Sequence, residues 1–306
     1  MTLPTCAIVG LGLMGGSVAA AIKSAVDVEV VGFDEDRDAL AEALRLGLID
    51  RGADSVSEAA QDAGLVVIAV PVLAIEGVLA ELVGREAQLT ITDVGSVKQS
   101  VIDAATRVFG VVPPCFVPGH PIAGSERHGV NAARADLFRD HRVVLTPTGT
   151  TDPDALALVR HLWATTGAEV LEMSVAEHDA VLARTSHLPH LLAYALVDSL
   201  SAHGTDFSTF RFAAGGFRDF TRIAGSDAVM WRDIFASNSH QVVPVLDQYI
   251  QDLSALRAMM MEEDWEGLRQ VFERARQARA RFQSTSSSPT SEPPLSPETP
   301  GSKAEK

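Results

Sequence analysis

The stretch Cys6-Ala7-Ile8-Val9-Gly10-Leu11-Gly12-Leu13-Met14-Gly15 decides the fold of this 306-residue chain. Its apolar start contains β-branched residues and predicts a buried strand, and the glycines after it have the spacing G-x-G-x-x-G. A helical pattern then opens at Gly15 and Gly16, and a second apolar run ends at Asp34. Strand, glycine turn, helix, strand and acid in this order predict a βαβ unit that binds a dinucleotide.

The residues of the glycine turn have separate predicted roles. Gly10 allows the tight turn, Gly12 lets the backbone approach a pyrophosphate, and Gly15 lets the helix pack closely on the strand. The phosphates would then lie at the positive end of the helix dipole, beside Leu13 and Met14.

The acid that ends the second strand predicts which dinucleotide binds. A carboxylate at Asp34 accepts hydrogen bonds from both ribose hydroxyls and repels a 2′-phosphate, so the sequence favours NAD over NADP. Arg37 is close enough along the chain to keep NADP as the alternative. We also assign Val70, which ends the apolar run 65–70, and Pro71, which follows it, to the cofactor site.

Strand and helix patterns alternate up to about Met173, and helical periodicity alone follows. The predicted strands are 6–9, 28–33, 65–70, 89–94, 115–117, 142–146 and 168–171, and helices are predicted between them. We therefore predict an α/β fold, with a Rossmann-like, mostly parallel sheet domain over residues 1–173. An all-α domain over 174–283 and a disordered, Ser/Thr/Pro/Glu-rich tail over 284–306 complete the prediction.

Composition narrows the class of protein. The net charge of -15 offers no basic face for nucleic acid, and 46% hydrophobic residues are enough for two domains with cores. The apolar start lacks the basic region of a signal peptide, and no stretch approaches the roughly 20 apolar residues of a membrane helix. Cys6 and Cys115 are predicted to be buried free thiols. We expect a soluble, cytoplasmic protein.

Two polar residues follow predicted strands of the sheet. His120 stands between turn-forming residues after the run 115–117, and we expect it in a sharp turn at the mouth of a cleft. Ser96 follows the strand 89–94 and Gly95. Its hydroxyl is predicted either to cap the helix that begins at Val97 or to face the ligand crevice at the carboxyl ends of the strands, and both roles are compatible.

The helical part carries two further groups of polar residues. His187 and His190 lie about one helical turn apart in 185–190, but no nearby carboxylate or cysteine completes a metal site, so we predict no metal. We interpret His190 as a core histidine and His187 as a site residue.

Farther along, Gly215 and Gly216 precede Arg222 in a predicted loop. The guanidinium of Arg222 matches the two oxygens of a carboxylate, and the alternative is a surface ion pair with Asp219 or Asp227.

Five motifs occur in this order along the chain, and together they resemble the prephenate dehydrogenases of tyrosine biosynthesis, a group that includes arogenate and cyclohexadienyl dehydrogenases. The motifs are 10–17 (GLGLMGGS), 93–98 (DVGSVK), 119–126 (GHPIAGSE), 186–190 (SHLPH) and 215–224 (GGFRDFTRIA). The resemblance spans residues 7 to about 282, and no regulatory or chorismate mutase segment is recognisable.

The resemblance implies oxidative decarboxylation of prephenate to 4-hydroxyphenylpyruvate, with NAD accepting the hydride. His120 matches the catalytic base, Ser96 the serine that orients it, and Arg222 the residue that binds the ring carboxylate. The remaining substrate positions implied are His187, Ser125, Glu126, Gly215 and Gly216. The resemblance further implies that the helical domain binds substrate and forms a homodimer.

Three alternatives remain at this point. The sequence leaves the choice between prephenate and arogenate open, including dual specificity. β-Hydroxyacid dehydrogenases share the glycine pattern but need a lysine early in their second domain, and residues 174–225 contain none. A non-catalytic NAD-sensing module would not need His120, Ser96 and Arg222 together.

Overall fold

The structure is a computed structural model and describes residues 2–125, 127–203 and 209–286. The chain divides into two compact units, one ending at Leu246 and the other beginning at Asp247. All strands of the described residues lie in the first unit. The limit predicted from the sequence pattern, between residues 173 and 174, stays a prediction.

A six-stranded parallel sheet forms the centre of the first unit. Its strands are β1 (Cys6–Val9), β2 (Val30–Phe33), β3 (Arg51–Gly52), β4 (Leu65–Ile68), β5 (Thr90–Asp93) and β6 (Phe116–Val117). The spatial order β3-β2-β1-β4-β5-β6 reverses direction between β1 and β4, and ligands bind at such a reversal beyond the carboxyl ends of the strands. The predicted α/β fold is confirmed.

Helices cover the sheet on both faces. They are α1 (Leu13–Ala25), α2 (Arg37–Arg45), α3 (Val56–Ala59), α4 (Ile75–Ala80), α5 (Lys98–Phe109) and α6 (Pro153–Thr165). Along β4, Leu65 and Val67 belong to one apolar cluster, while Val66 and Ile68 belong to the other. This alternation explains why the strand is an unbroken apolar run, since both of its faces are buried.

A second, three-stranded sheet corrects the prediction for His120. Its strands are β7 (Gly119–Ile122), β8 (Arg142–Leu145) and β9 (Glu169–Glu172), with β7 antiparallel to β8 and β8 parallel to β9. The chain leaves the first sheet after Val117, and His120 is paired with Val144 rather than placed in a turn. The turn prediction was wrong because the pairing strand lies more than 20 residues away and leaves no local signal.

The rest of the described chain is helical, as predicted. The elements are α7 (Val175–Leu182), a π-turn (Ala183–His187), α8 (Leu188–His203), a first 3₁₀ turn (Thr209–Phe212), α9 (Gly215–Thr221), a second 3₁₀ turn (Arg222–Gly225), α10 (Ala228–Met261) and α11 (Trp265–Ser286). Gly215 and Gly216 therefore begin a helix and do not form the predicted loop.

Of the predicted tail 284–306, residues 287–306 lie outside the described residues. None of the described helices has the length and apolar character that a membrane crossing requires.

Candidate active site

The glycine turn after β1 forms an open cradle for an anion. Gly10 has φ of +92°, and a Cβ there would lie 2.6 Å from the carbonyl oxygen of Ala69. A Cβ on Gly15 would overlap the carbonyl oxygen of Gly10, whereas one on Gly12 would meet no atom of the described residues within 4 Å. Helix α1 starts directly after Gly12 with no side-chain cap and no acid in its first turn. Its free N–H groups, beginning at Leu13, could therefore hold a phosphate.

Asp34 lies at the end of β2, beside this cradle. Its carboxylate accepts hydrogen bonds from the backbone N–H groups of Leu11, at 2.6 Å, and of Asp36, at 2.9 Å. The neighbouring Arg37 guanidinium is engaged elsewhere, since it donates to Asp54 Oδ1 at 2.9 Å and to the carbonyl of Ala53. Because that cation is paired, the carboxylate dominates the charge at this end of the cradle.

The other predicted cofactor residues lie at the carboxyl edge of the same sheet. Leu13 and Met14 form the first turn of α1, half-buried against the core, and Val70 and Pro71 follow β4 after Ala69.

His120 on β7 is buried and bonded to a second histidine. Its Nδ1 lies 2.9 Å from Nε2 of His178, and Nδ1 of His178 lies 2.7 Å from Oδ1 of Asp179. Burial lowers the pKa of His120 well below 6.5, and the positive charge of Lys98 lowers it further. At neutral pH His120 is therefore an unprotonated base.

The carboxylate of Asp179 is also the cap of helix α5. Oδ1 accepts the backbone N–H of Lys98 and Oδ2 accepts that of Gln99, both at 2.8 Å. Burial raises the pKa of Asp179, but the bonds from His178 and from these two amides outweigh that effect and lower it. Ser96 was predicted as a possible cap, but α5 begins at Lys98 and the cap position is Val97. That part of the prediction was wrong because a carboxylate from α7 takes the place of the local hydroxyl.

A fully buried ion pair fixes the backbone before His120. Lys98 Nζ lies 2.5 Å from Asp93 Oδ2 and donates to the carbonyl of Gly119 at 2.7 Å. Asp93 Oδ1 accepts the N–H of Gly119 at 3.2 Å. Burial lowers the pKa of Lys98, and the charge of Asp93 opposes this. Removing one partner of such a pair costs roughly 3–5 kcal/mol, since the other charge would stay buried alone.

His187 lies in the same buried region, held by Asn238 at a break in α10. Asn238 Nδ2 donates to the backbone carbonyl of Asp179 at 3.0 Å and to His187 Nδ1 at 3.1 Å. The carbonyl can only accept, so it fixes the orientation of the amide, and His187 then carries its proton on Nε2. Burial lowers the pKa of His187 to about 4, which leaves this ring neutral and able to donate a hydrogen bond.

His190 and Arg222 extend the cluster toward the surface. The ring of His190 stacks on Trp231 with 3.7 Å between centroids, and its Nδ1 donates to the carbonyl of Ser186 at 2.8 Å. The pKa of His190 is lowered by burial and by the charge of Arg222, which is exposed on the 3₁₀ turn after α9. Tyr194 on α8 contacts the end of this turn, since its hydroxyl donates to the carbonyl of Ser226, the residue after the turn, at 2.7 Å.

Hydrogen bonds through His178, Asp179 and Asn238 thus connect His120 with His187, and the sequence analysis missed these three intermediate residues. His178, Asp179 and Asn238 occupy no recognised motif, and only their position among apolar neighbours on helices could have pointed to them. Among the remaining predicted substrate residues, Ser96 is half-buried between β5 and α5. Ser125 is exposed, and its Oγ accepts the N–H of Arg127. Gly215 and Gly216 are exposed at the start of α9, and Glu126 lies outside the described residues.

Two family models match the chain. Residues 18–172 match the model described as "Prephenate dehydrogenase, nucleotide-binding domain", and residues 174–274 match "Prephenate dehydrogenase, dimerization domain". The chain belongs to the prephenate dehydrogenase family. The first model starts after the glycine turn, so the cradle is an observation independent of that match.

Full-length relatives agree with this membership. The chain is 41% identical to a prephenate dehydrogenase of Bacillus subtilis over 90% of this chain and 75% of that protein. It is 39% identical to a cyclohexadienyl dehydrogenase of Zymomonas mobilis, over 89% and 94% of the two chains. A crystal structure of prephenate dehydrogenase from A. aeolicus with hydroxyphenyl propionate and NAD+ matches with a TM-score of 0.85 and 34% identity, covering 92% of this chain and 99% of that one.

Proposed function

We propose that this protein catalyses the NAD-dependent oxidative decarboxylation of prephenate to 4-hydroxyphenylpyruvate in tyrosine biosynthesis. The observation that carries the proposal is the hydrogen bond from His120 Nδ1 to His178, which leaves His120 Nε2 to accept a proton. NAD, when bound, accepts the hydride. The base takes the proton of the ring hydroxyl, and loss of the ring carboxylate as carbon dioxide makes the ring aromatic.

The remaining roles follow the chemistry of each side chain. Arg222 binds the ring carboxylate through its guanidinium, and the Nε2–H of neutral His187 donates to another polar group of the substrate. Ser96 hydrogen-bonds the reacting hydroxyl and orients it toward His120. We assign Ser125, Glu126, Gly215 and Gly216 to the lining of the substrate site.

The cofactor assignment rests on the cradle and on Asp34. The space at Gly12 and the uncapped start of α1 fit a pyrophosphate, and a carboxylate bonded to Leu11 fits a ribose. We therefore assign Gly10, Gly12, Gly15 and Asp34 to NAD. The assignment includes the adjoining residues Leu13, Met14, Val70 and Pro71.

Changing Asp34 to serine is expected to weaken the preference for NAD. The variant loses a charged acceptor for the ribose and its repulsion of a 2′-phosphate, so the ratio of kcat/KM with NAD to that with NADP should fall about 10-fold or more. Initial rates measured with each cofactor in turn give this ratio. Asp54→Ala removes the ion-pair partner of Arg37 but keeps the carboxylate of Asp34, so its ratio should fall by less than that of Asp34→Ser. An unchanged ratio in Asp34→Ser would contradict the assignment.

We further propose a homodimer formed through the helical part of the chain, acting in the cytoplasm, where free thiols stay reduced. Cys6 and Cys115 are both free and buried. Large apolar side chains are exposed on the last two helices: Val243, Ile250, Leu253, Met260, Met261, Trp265 and Phe272. Light scattering should give twice the 32.5 kDa mass of the chain. The mass of a single chain at micromolar concentration would refute the dimer.

The experiment that tests the function is NADH formation with prephenate and arogenate side by side, each with NAD and NADP. We expect turnover with prephenate and NAD. Arogenate is a second candidate substrate, because a cyclohexadienyl dehydrogenase is 39% identical to this chain. Absence of NADH formation with both substrates, from protein that binds NAD, would overturn the proposal.

A further inference from the structure

The imidazole of His178 connects the base to a carboxylate through both of its nitrogens. Nδ1 faces Asp179, 2.7 Å away, and Nε2 faces His120 Nδ1, 2.9 Å away. The two rings meet edge to face, with centroids 5.1 Å apart and an interplanar angle of 67°. His178 is fully buried and Asp179 nearly so.

The direction of these bonds follows from which atoms can donate. Asp179 is a carboxylate and can only accept, so the proton between it and His178 lies on His178 Nδ1. Burial lowers the pKa of His178 against the opposing effect of Asp179, so the ring is neutral and its Nε2 carries a lone pair. His120 must then donate from Nδ1, and its second nitrogen, Nε2, is unprotonated.

We infer that His178 and Asp179 act as a positioning pair for the proposed reaction, fixing His120 in the Nδ1–H tautomer and stabilising the positive charge that His120 gains on accepting the substrate proton. The inference rests on the proposed function. Without the pair, neutral imidazole would divide between two tautomers, and only one of them presents a lone pair at Nε2.

A purely structural role accounts poorly for this arrangement. Burying two polar nitrogens and a carboxylate carries a desolvation cost that an apolar side chain of similar volume would avoid. Asp179 already makes the backbone bonds that cap α5, so α5 does not need the imidazole for its cap. What the imidazole of His178 adds is a hydrogen-bonded connection between the carboxylate of Asp179 and His120.

The titratable groups coupled electrostatically to His120 or to His178 come from α7, α5, β5 and the π-turn. They are His178 and Asp179 on α7, Lys98 and Asp93 at the start of α5 and the end of β5, and His187 on the π-turn. Among them, Asp179 reaches His120 through a hydrogen-bonded ring and not through space alone. Its negative charge, transmitted through His178, favours protonated His120.

The test compares His178→Phe with His178→Gln. Phenylalanine removes the acceptor, whereas the amide oxygen of glutamine reaches about as far as imidazole Nε2 and keeps it. We expect His178→Phe to lower kcat about 100-fold with KM within about threefold, and His178→Gln to recover to within about tenfold of the parent enzyme. His161→Phe, the same change on α6, is the control and should keep parent kcat.

The pH profile of His178→Phe distinguishes a positioning role of His178 from a simple loss of folded enzyme. In His178→Phe the protonated form of His120 loses its acceptor, so the acidic limb of kcat/KM should move to lower pH. A smaller fraction of folded enzyme would lower the rate at every pH and leave the limb in place. An unmoved limb together with parent-like kcat in His178→Phe would overturn the inference.

Nitrogen NMR of histidine-labelled protein tests the tautomer without any turnover. We expect the His120 ring to be protonated at Nδ1 in the parent enzyme and to show a mixture of tautomers in His178→Phe. The same Nδ1–H form in both proteins would refute the positioning role. Failure of the parent enzyme to oxidise prephenate or arogenate would instead refute the proposed function, and the NMR result would still decide whether the pair sets the tautomer.

Discussion

Replacing His120 with asparagine should lower kcat by about 10²–10⁴-fold while NAD still binds with its normal affinity. Asparagine keeps a polar side chain of similar size next to His178 but cannot take up a proton at neutral pH. The glycine cradle and Asp34 belong to other elements of the first unit, so the proposed cofactor site is not altered. Steady-state turnover assays measure the loss of kcat, and titration with NAD followed by fluorescence measures the cofactor affinity.

The parent enzyme should also show a characteristic pH dependence. Only neutral His120 accepts a proton, so the rate is constant above the pKa of this ring and falls as the pH drops through it. Because burial and the positive charge of Lys98 lower that pKa, the fall should come well below 6.5. His141→Asn, an exposed histidine bonded to the carbonyl of Arg139, is the matched control and should keep full activity. Near-normal turnover in His120→Asn would show that another group is the base.

The second large effect is expected from Arg222→Ala, in the KM for prephenate. Loss of a charge-assisted pair with the ring carboxylate should raise KM roughly 10- to 100-fold and leave NAD affinity unchanged. Arg222→Lys should recover only part of this loss, because an ammonium lacks the planar fork that matches two carboxylate oxygens. Steady-state kinetics with prephenate varied at saturating NAD measure the change.

The neighbouring Arg218 provides the control for this experiment. It is also an exposed arginine, it lies on α9, and it donates to the carbonyl of Ala213. Arg218→Ala should change KM by less than about twofold, as expected of an exposed side chain outside the site. If Arg222→Ala instead weakens NAD binding, the arginine faces the cofactor and the substrate assignment is wrong.

The parts of the fold that were predicted correctly depend on local signals. The strand at Cys6, the glycine turn and the acid at Asp34 follow one another within 30 residues. Each is indicated by the types and spacing of its own residues, without any contact from elsewhere in the chain. The long apolar run of β4 is likewise readable, since burial on both faces removes any need for polar residues. These elements form the cofactor side of the proposed site.

The other side of the site depends on contacts between distant residues. His178 meets His120 across 58 positions of sequence, Asp179 caps α5 across 81, and Asn238 bonds Asp179 across 59. No propensity or spacing in a single sequence reveals which carboxylate reaches an uncapped helix. For the same reason Ser96 was predicted as a cap that it does not form, and β7 was predicted as a turn.

The capping of α5 by Asp179 has a consequence for any attempt to separate the nucleotide-binding portion from the rest. A fragment ending at residue 173 would contain the glycine cradle and the nine strands of the described residues, yet it would lack the acceptor for two amides at the start of α5. It would also leave His120 without its neighbouring ring. The portion of chain that carries the proposed base is thus completed by the portion that follows it, and we expect a fragment without that second portion to lack activity.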